Sequence, residues 1–295
     1  MTAGRLQPDW GSISLVSAVP FAAMHAGVIA GILLAPPTWP LVSAAFLSYA
    51  FRLMAVTGGY HRYFAHRGFK TSRPFQFLLA VAGTLAMQKG PLWWAAHHRT
   101  HHRFSDTEKD IHSSRIYGFW WAYMGWILSR NNDATDKALI ADFWRYPELR
   151  FLNRYHLVPP FALGAFLWLV FGLPAFVWIG LLPIVFGWHA LFCSNVLCHV
   201  FGSRRFETGE DSRNNPFFAM LVFGEGWHNN HHFYPTTARQ GFYWWEIDVT
   251  YYVILFLEKC GLVWAVAGVP ARVLAAARPG FVPPVPMEEV NDGRG

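Results

Sequence analysis

The sequence predicts an all-α integral membrane protein, with four transmembrane helices in two hairpins beneath a cytoplasmic helical cap. Three observations carry that expectation. Apolar residues make up 53% of the chain against 14% charged, roughly half the charged share of a soluble domain. Two pairs of apolar stretches approach the ~20 residues that cross a bilayer. A polar block rich in histidine separates the pairs, and 15 Trp and 11 Tyr supply rings suited to a lipid–water boundary.

Residues 13–35 (ISLVSAVPFAAMHAGVIAGILLA) form the first span and 40–57 the second, joined across PPTWP as a hairpin. Arg52 lies near the end of the second. Residues 157–179 and 181–201 form the other pair, interrupted by Pro174 and Pro183. The cap takes 58–155 and 202–270, a Pro-rich tail over 271–295 reads as loose, and the whole chain, 1–295, reads as one domain. Residues 75–87 (FQFLLAVAGTLAM) are too short to span and read as a buried or interfacial helix. The aromatic stretches 116–128 and 249–264, interrupted by polar residues, read as interfacial.

Orientation follows from charge. Arg62, Arg67, Lys70 and Arg73 follow the second span, whereas APPTWP carries no charge, so the positive-inside rule places 58–155 in the cytoplasm. Two hairpins then return both termini and every histidine cluster to that side. The N-terminus shows no signal-cleavage pattern, so the first span is expected to remain as an anchor.

The net charge of +6 comes without any nucleic-acid motif, which sets nucleic acid aside as a partner. Anionic headgroups, an acidic redox partner or a charged acyl carrier account for it better. Cys193, Cys198 and Cys260 form no framework of pairs and read as reduced, structural thiols.

The histidines carry the chemistry. An HxxHH box occurs twice, as His98, His101 and His102 in HHRTHHRFSD, and as His228, His231 and His232 in EGWHNNHHFYP. With 14 His in 295 residues, chance supplies such a box about 0.03 times per chain, which argues against solvated or capping histidines. Positions i, i+3 and i+4 share a helix face, with neighbouring Cβ atoms about 5–6 Å apart, so one helix can offer several imidazoles to a metal. His61 and His66, at i and i+5, share no α-helical face, so that stretch should end or distort a helix. Asn195 and His199 are again i and i+4, at the end of the last span.

The boxes lack Cys, which disfavours zinc–thiolate and iron–sulfur sites, and lack the Glu-x-x-His of carboxylate-bridged di-iron bundles. Nine imidazoles exceed what one ion can use, so two ions are implied. Residue type alone leaves Fe, Zn, Cu and Ni open.

Over roughly residues 40–265 the chain resembles the membrane fatty-acid desaturase family, and specifically its Δ9-type branch. The resemblance rests on GGYHRYFAHRGFK, on HRTHHRFSDTEKDIHSS followed by GFWWAYMGW, on NVLCH, and on GEGWHNNHH followed by ARQG. It implies a membrane-embedded four-helix, mushroom-like fold whose cytosolic cap holds a non-haem di-iron centre. The family's ligand pattern falls on His61, His66, His98, His101, His102, His199, His228, His231 and His232, with Asn195 reaching iron through water. The implied reaction uses two Fe and O₂ to remove two hydrogens from an unactivated acyl chain, leaving a cis double bond.

Neutral imidazoles, a dry pocket and apolar spans that align one methylene pair all suit that chemistry. Carboxylates should orient the rings by accepting their second N–H, and Asp106, Asp110 and Glu225 are nearest in sequence; the alternative for each is a solvated or capping acid. Ala44 and Ala45, small residues in the second span, are candidates for the closed end of a substrate tunnel. His25, His97, His112, His156 and His189 remain outside the pattern, and His25 and His189 lie within spans as neutral, hydrogen-bonded groups.

Members acting on acyl-CoA commonly carry Arg-Asp where this chain has Ala96 and His97, so an acyl-lipid substrate stands beside an acyl thioester. Lys70, Lys89, Arg99 and Arg115 are candidate phosphate holders. The sequence shows no haem-binding or cysteine-cluster motif, so electrons are expected from a separate ferredoxin- or cytochrome b5-like donor. The rivals are a hydroxylase or ketolase built on a similar array, and a membrane metal-binding or transport protein.

Overall fold

The computed structural model describes residues 6–277. Their fold is mostly helical, and Lys70–Thr71 against Val263–Trp264 is the one two-stranded antiparallel pair among them. Three helical stretches are long and apolar enough to cross a membrane: Leu15–Leu34, Trp39–Ala65 and Val158–Leu197. The first is helix α1; Trp39–Met54 within the second is α2.

The third stretch is not a rod. Gly172 sits at φ 75°, and a Cβ on Gly180 would lie 3.6 Å from Leu167 Cδ1. Thirteen residues of straight helix would separate those positions by about 20 Å, so the chain reverses at Gly172. Trp168 and Phe176, their rings 5.3 Å apart, close the turn. The reversal comes earlier than the 179/181 boundary drawn from hydropathy. Apolarity runs unbroken through the turn, and only a glycine in the left-handed region two residues before Pro174 marks it.

Polar contacts set the helix directions. Trp178 Nε1 donates to Ala35 O (2.8 Å) and His25 Nε2 lies 2.8 Å from His189 Nε2, so α1 runs antiparallel to 173–197. A Cβ on Gly31 would overlap Val177, which explains the glycine at that crossing. Ser48 Oγ donates to Ile179 O (2.6 Å) and Tyr49 packs its ring on Phe186, so α2 runs parallel to that arm. The outward faces stay apolar and uncovered: Leu15, Val16 and Leu34 on α1 and Leu169 beyond are all exposed.

Beyond α2 the backbone loosens into a π-helix, Ala55–Ala65, every residue of which is buried. Helix α3, Arg73–Thr84, folds back antiparallel to it: Tyr63 OH donates to Gln76 Oε1 (2.9 Å), and Arg52 Nε donates to Leu85 O (3.0 Å). At twelve residues α3 does not span, as its length predicts. Its buried C-terminal carbonyls need donors. Arg52 supplies one, and Trp188 Nε1 gives another to Ala86 O (2.8 Å). That duty gives Arg52 a place near the bundle, where a charge without hydrogen-bond partners would be costly.

The start of α1 is stitched to the far end of the aromatic 116–128 stretch, where Ser14 N donates to Leu128 O (3.0 Å). The first residues of the tail expected to be loose are folded. Ala271–Ala275 is a short helix whose Val273 and Ala276 pack with Phe206 and Phe242. The rest of that tail and both chain termini, expected on the cytoplasmic side, lie outside the described residues.

Candidate metal centre

Four segments bring nine imidazoles together. The π-helix brings His61 and His66 within 4.8 Å, and His66 N donates to His61 O (3.1 Å), an i→i+5 bond. The spacing that shares no α-helical face is the repeat of a π-helix, a winding common at functional sites. Helix α4, Pro91–Phe104, starts on a proline at its first turn and carries His98, His101 and His102. The short helix His228–Phe233 carries His228, His231 and His232, and His199 follows the end of Leu182–Leu197.

The nine fall into two groups whose ligand nitrogens lie within 4.8 Å of one another: His61, His66, His98, His102 and His231, and His101, His199, His228 and His232. In the first, Nε2 faces Nε2 at 2.9 Å for His61–His231, His66–His98 and His102–His231. In the second, His199 and His228 meet at 3.0 Å. His102 and His232, one from each group, stack 4.4 Å apart at the floor of a cleft of about 340 Å³.

Carboxylates stand behind the rings. His199 Nδ1 lies 2.9 Å from Asp106 Oδ2, His101 Nδ1 lies 3.0 Å from Asp110 Oδ2, and His61 Nδ1 faces Glu225. The three acids nearest in sequence are thus each placed against an imidazole. A carboxylate at Nδ1 keeps the proton there and leaves Nε2 as a lone pair turned into the cluster. Burial holds His98, His102, His228, His231 and His232 well below the usual histidine range, and repulsion between neighbouring imidazoles adds to it. Burial also opposes a charge on His101, but Asp110 outweighs it and raises that pKa. Nine converging imidazoles, three of them with a carboxylate at the outward Nδ1, fit a pair of imidazole-held metal ions.

Several supporting residues escaped the sequence. Glu210 lies 3.6 Å from both His199 Nδ1 and His232 Nδ1. Gln240, inside ARQG, places Nε2 3.3 Å from His61 Nδ1. Arg62 reads as one loop charge among several, yet it is 1% exposed and bonds Glu225 (3.1 Å), Asp248 (2.8 Å) and Ala238 O (2.8 Å). A buried cation of that kind needs such partners, and no local spacing announces them.

Other candidates fall outside the cluster. Asn195 is exposed on the helix Leu182–Leu197 and its side chain makes no hydrogen bond to any described residue, so the structure does not bring it in. Position i, i+4 from His199 fixes a face, not a contact. His97 Nδ1 turns back to Trp93 O (2.9 Å), and His112 stacks on His101 at 4.4 Å. His156 Nδ1 is buried without a partner among the described residues. Ala45 packs on Val177 and Trp178, and Ala44 is half-buried. Neither lines the narrow cavity between Tyr49 and Leu53 of α2, Val56 of the π-helix, and Pro183, Ile184 and Leu191. Of the four candidate phosphate holders, Lys89 pairs with Asp133, Arg99 with Asp142 and Arg115 with Asp211. Lys70 has no partner among the described residues.

Two imidazole groups on an apolar helical scaffold define a membrane protein whose histidine clusters are compatible with metal binding. The family model for fatty acid desaturases matches residues 37–257, and the chain belongs to that family. It is 40% identical to an icosanoyl-CoA 5-desaturase of Limnanthes douglasii, over 75% of this chain and 63% of that protein. It is 38% identical to a chloroplastic palmitoyl-monogalactosyldiacylglycerol delta-7 desaturase of Arabidopsis thaliana, over 76% of this chain and 61% of that protein. The matches thus span about three fifths of those two relatives. With an sn-1 stearoyl-lipid 9-desaturase of Anabaena variabilis it shares 36% identity, over 85% of this chain and 92% of that protein.

Proposed function

We propose that the chain is an O₂-dependent fatty-acyl desaturase that inserts a cis double bond, at Δ9, with two irons held by the nine imidazoles. The observation that carries this reading is the convergence of those imidazoles in two groups, three of them backed by carboxylates, within a family of desaturases. Bound iron would supply the oxidising power with O₂ as co-substrate. Two hydrogens leave the acyl chain and, with two electrons and two protons from outside, reduce O₂ to two waters.

The chain's own residues do the positioning. Asp106, Asp110 and Glu225 hold the tautomers of His199, His101 and His61. The narrow cavity between α2 and the arm 173–197, lined mostly by apolar side chains, is where the reading places the methylene chain, which would widen it on entry. Fixing that chain turns bond position into a matter of distance along it. The Δ9 position is supported by the match to a 9-desaturase over most of both chains. The relatives' names span acyl-CoA and acyl-lipid substrates, and the replacement of Arg-Asp by Ala96 and His97 favours a lipid. A separate ferredoxin- or cytochrome b5-like protein supplies the electrons. The reversal at Gly172 makes two arms of the third stretch and supports four spans. In this reading the cap faces the cytoplasm and Asn195 reaches iron only through water.

The test is the fatty-acid profile of a host expressing the chain beside its His231→Ala variant, with double bonds located by derivatisation and GC–MS. A cis-monoene in the wild type only is expected. A hydroxylated or keto product would reassign the reaction.

A further inference from the structure

The cap carries a second cleft, of about 240 Å³, away from the histidines. At its floor Gln76 is 3% exposed; its Oε1 accepts from Tyr63 OH (2.9 Å), and its Nε2 has no partner among the described residues. A buried amide without an acceptor costs stability unless something supplies one. The half-exposed rings of Tyr146 and Trp264 form walls, and Arg67, Lys70 and Arg145 ring the mouth.

Among the described residues Lys70 and Arg145 meet no carboxylate, and Arg67 shares Asp142 with Arg99. Lys70 has no partner among the described residues. Arg145 reaches only the Tyr146 hydroxyl (2.9 Å) and ring. Asp142, also at the rim, gives both oxygens to Arg99 at 2.9 Å and meets Arg67 only at 3.6 Å. The N-terminus of the twelve-residue α3 opens beside the cleft at Thr71, adding its own pull on an anion.

We propose that this cleft binds a nucleotide: the phosphates meet Lys70, Arg145 and the start of α3, and the base lies between the rings with an acceptor on Gln76 Nε2. Stacking on aromatic rings suits any base, and charge-assisted bonds suit a phosphate. Its position favours a soluble ligand over a lipid headgroup. α3 runs antiparallel to the second span, pairing Leu85 with Arg52 and Gln76 with Tyr63, so the cleft lies on the order of 15 Å further from the bundle than Arg52. The source is a free nucleotide or the nucleotide end of an acyl thioester. The inference does not depend on the desaturase reading.

The test is isothermal titration of the detergent-solubilised full chain with ADP, with adenosine and inorganic phosphate titrated separately. Saturable ADP binding is expected, with adenosine and phosphate each at least tenfold weaker. The exposed changes Lys70→Ala and Arg145→Ala should each weaken ADP roughly tenfold, the ratio that one lost charge-assisted bond produces. Displacement of ADP by an acyl thioester would assign the site to a carrier's nucleotide end, and its absence to a free nucleotide. No ADP binding at millimolar concentration, phosphate binding as tightly as ADP, or indifference to both substitutions would each overturn the proposal. So would displacement of ADP by phosphatidylglycerol in nanodiscs, which would make the cleft a lipid site.

Discussion

The protein holds two places where imidazole nitrogens meet at about the same distance, and they differ in what lies behind the rings. In the histidine cluster, His61 and His231 face each other at 2.9 Å, several more Nε2 atoms converge on the same space, and carboxylates take the outward Nδ1 of His61, His101 and His199. In the bundle, His25 and His189 face each other at 2.8 Å, and among the described residues no further imidazole or carboxylate joins them. There the protons run in one line: Tyr123 OH donates to His189 Nδ1, His189 Nε2–H donates to His25 Nε2, and His25 Nδ1–H donates to Phe21 O. The bundle pair is closed on itself; the cap cluster has lone pairs to give. Contact distance does not separate a metal-holding imidazole from a structural one, but convergence and the partner of Nδ1 do.

The sharpest way to break this contrast is to change the partner and leave the ring. Asp106→Asn keeps the shape beside His199, and the Asp211 N–H, which also donates to Asp106 Oδ2, turns the amide oxygen toward Nδ1; a neutral amide accepts that N–H more weakly than a carboxylate and leaves Nε2 a poorer donor to a metal. Iron affinity should fall about 10–100-fold, read as iron per chain after dialysis against a graded chelator. Iron unchanged in Asp106→Asn, with the fold intact, would mean the carboxylates merely pack.

Acid should distinguish the sites next. Burial keeps His98, His102, His228, His231 and His232 well below the usual value, so they are neutral when folded and protonated when unfolded at mildly acidic pH. Their contribution to stability is therefore present above about pH 6.5 and is lost as pH falls below it, at about 1.4 kcal/mol per pH unit for each such ring. Chelator-treated protein should show a Tm that drops steeply from pH 7.5 to 5.5, whereas protein holding metal should resist until protons displace the ion. Equal profiles with and without metal would show that no ion sits among those rings.

The contrast also marks how far sequence reaches. The HxxHH boxes were legible because an α-helix turns i, i+3 and i+4 to one side, and two boxes in one chain exceed chance. His61 and His66 were legible as residues but not as geometry, since their i+5 spacing needs a π-helix that no propensity announces. Asp106, Asp110 and Glu225 were found by nearness in sequence. Glu210, Gln240 and Arg62 were not, because each acts through a partner set by tertiary packing. The reversal at Gly172 hid inside continuous apolarity, and the packing of Trp178 against Ala45 joins segments far apart in the chain.

The smallest effect belongs to the bundle pair. His189→Phe keeps a ring of similar size on the same helix but removes the middle of the line of protons, leaving Tyr123 OH and His25 Nε2 without their partner. Each is only partly buried, so water or lipid carbonyls soften the loss. The expected cost is about 1–3 kcal/mol of stability, read from thermal unfolding in detergent. Iron per chain and product should be unchanged, because nothing in that line touches the cap imidazoles. Tyr123→Phe should cost less, since it strands only His189 Nδ1, an acceptor that a water can satisfy. If His189→Phe instead stripped iron from the protein, the two places would be one coupled system, and what lies behind the rings would no longer be enough to tell them apart.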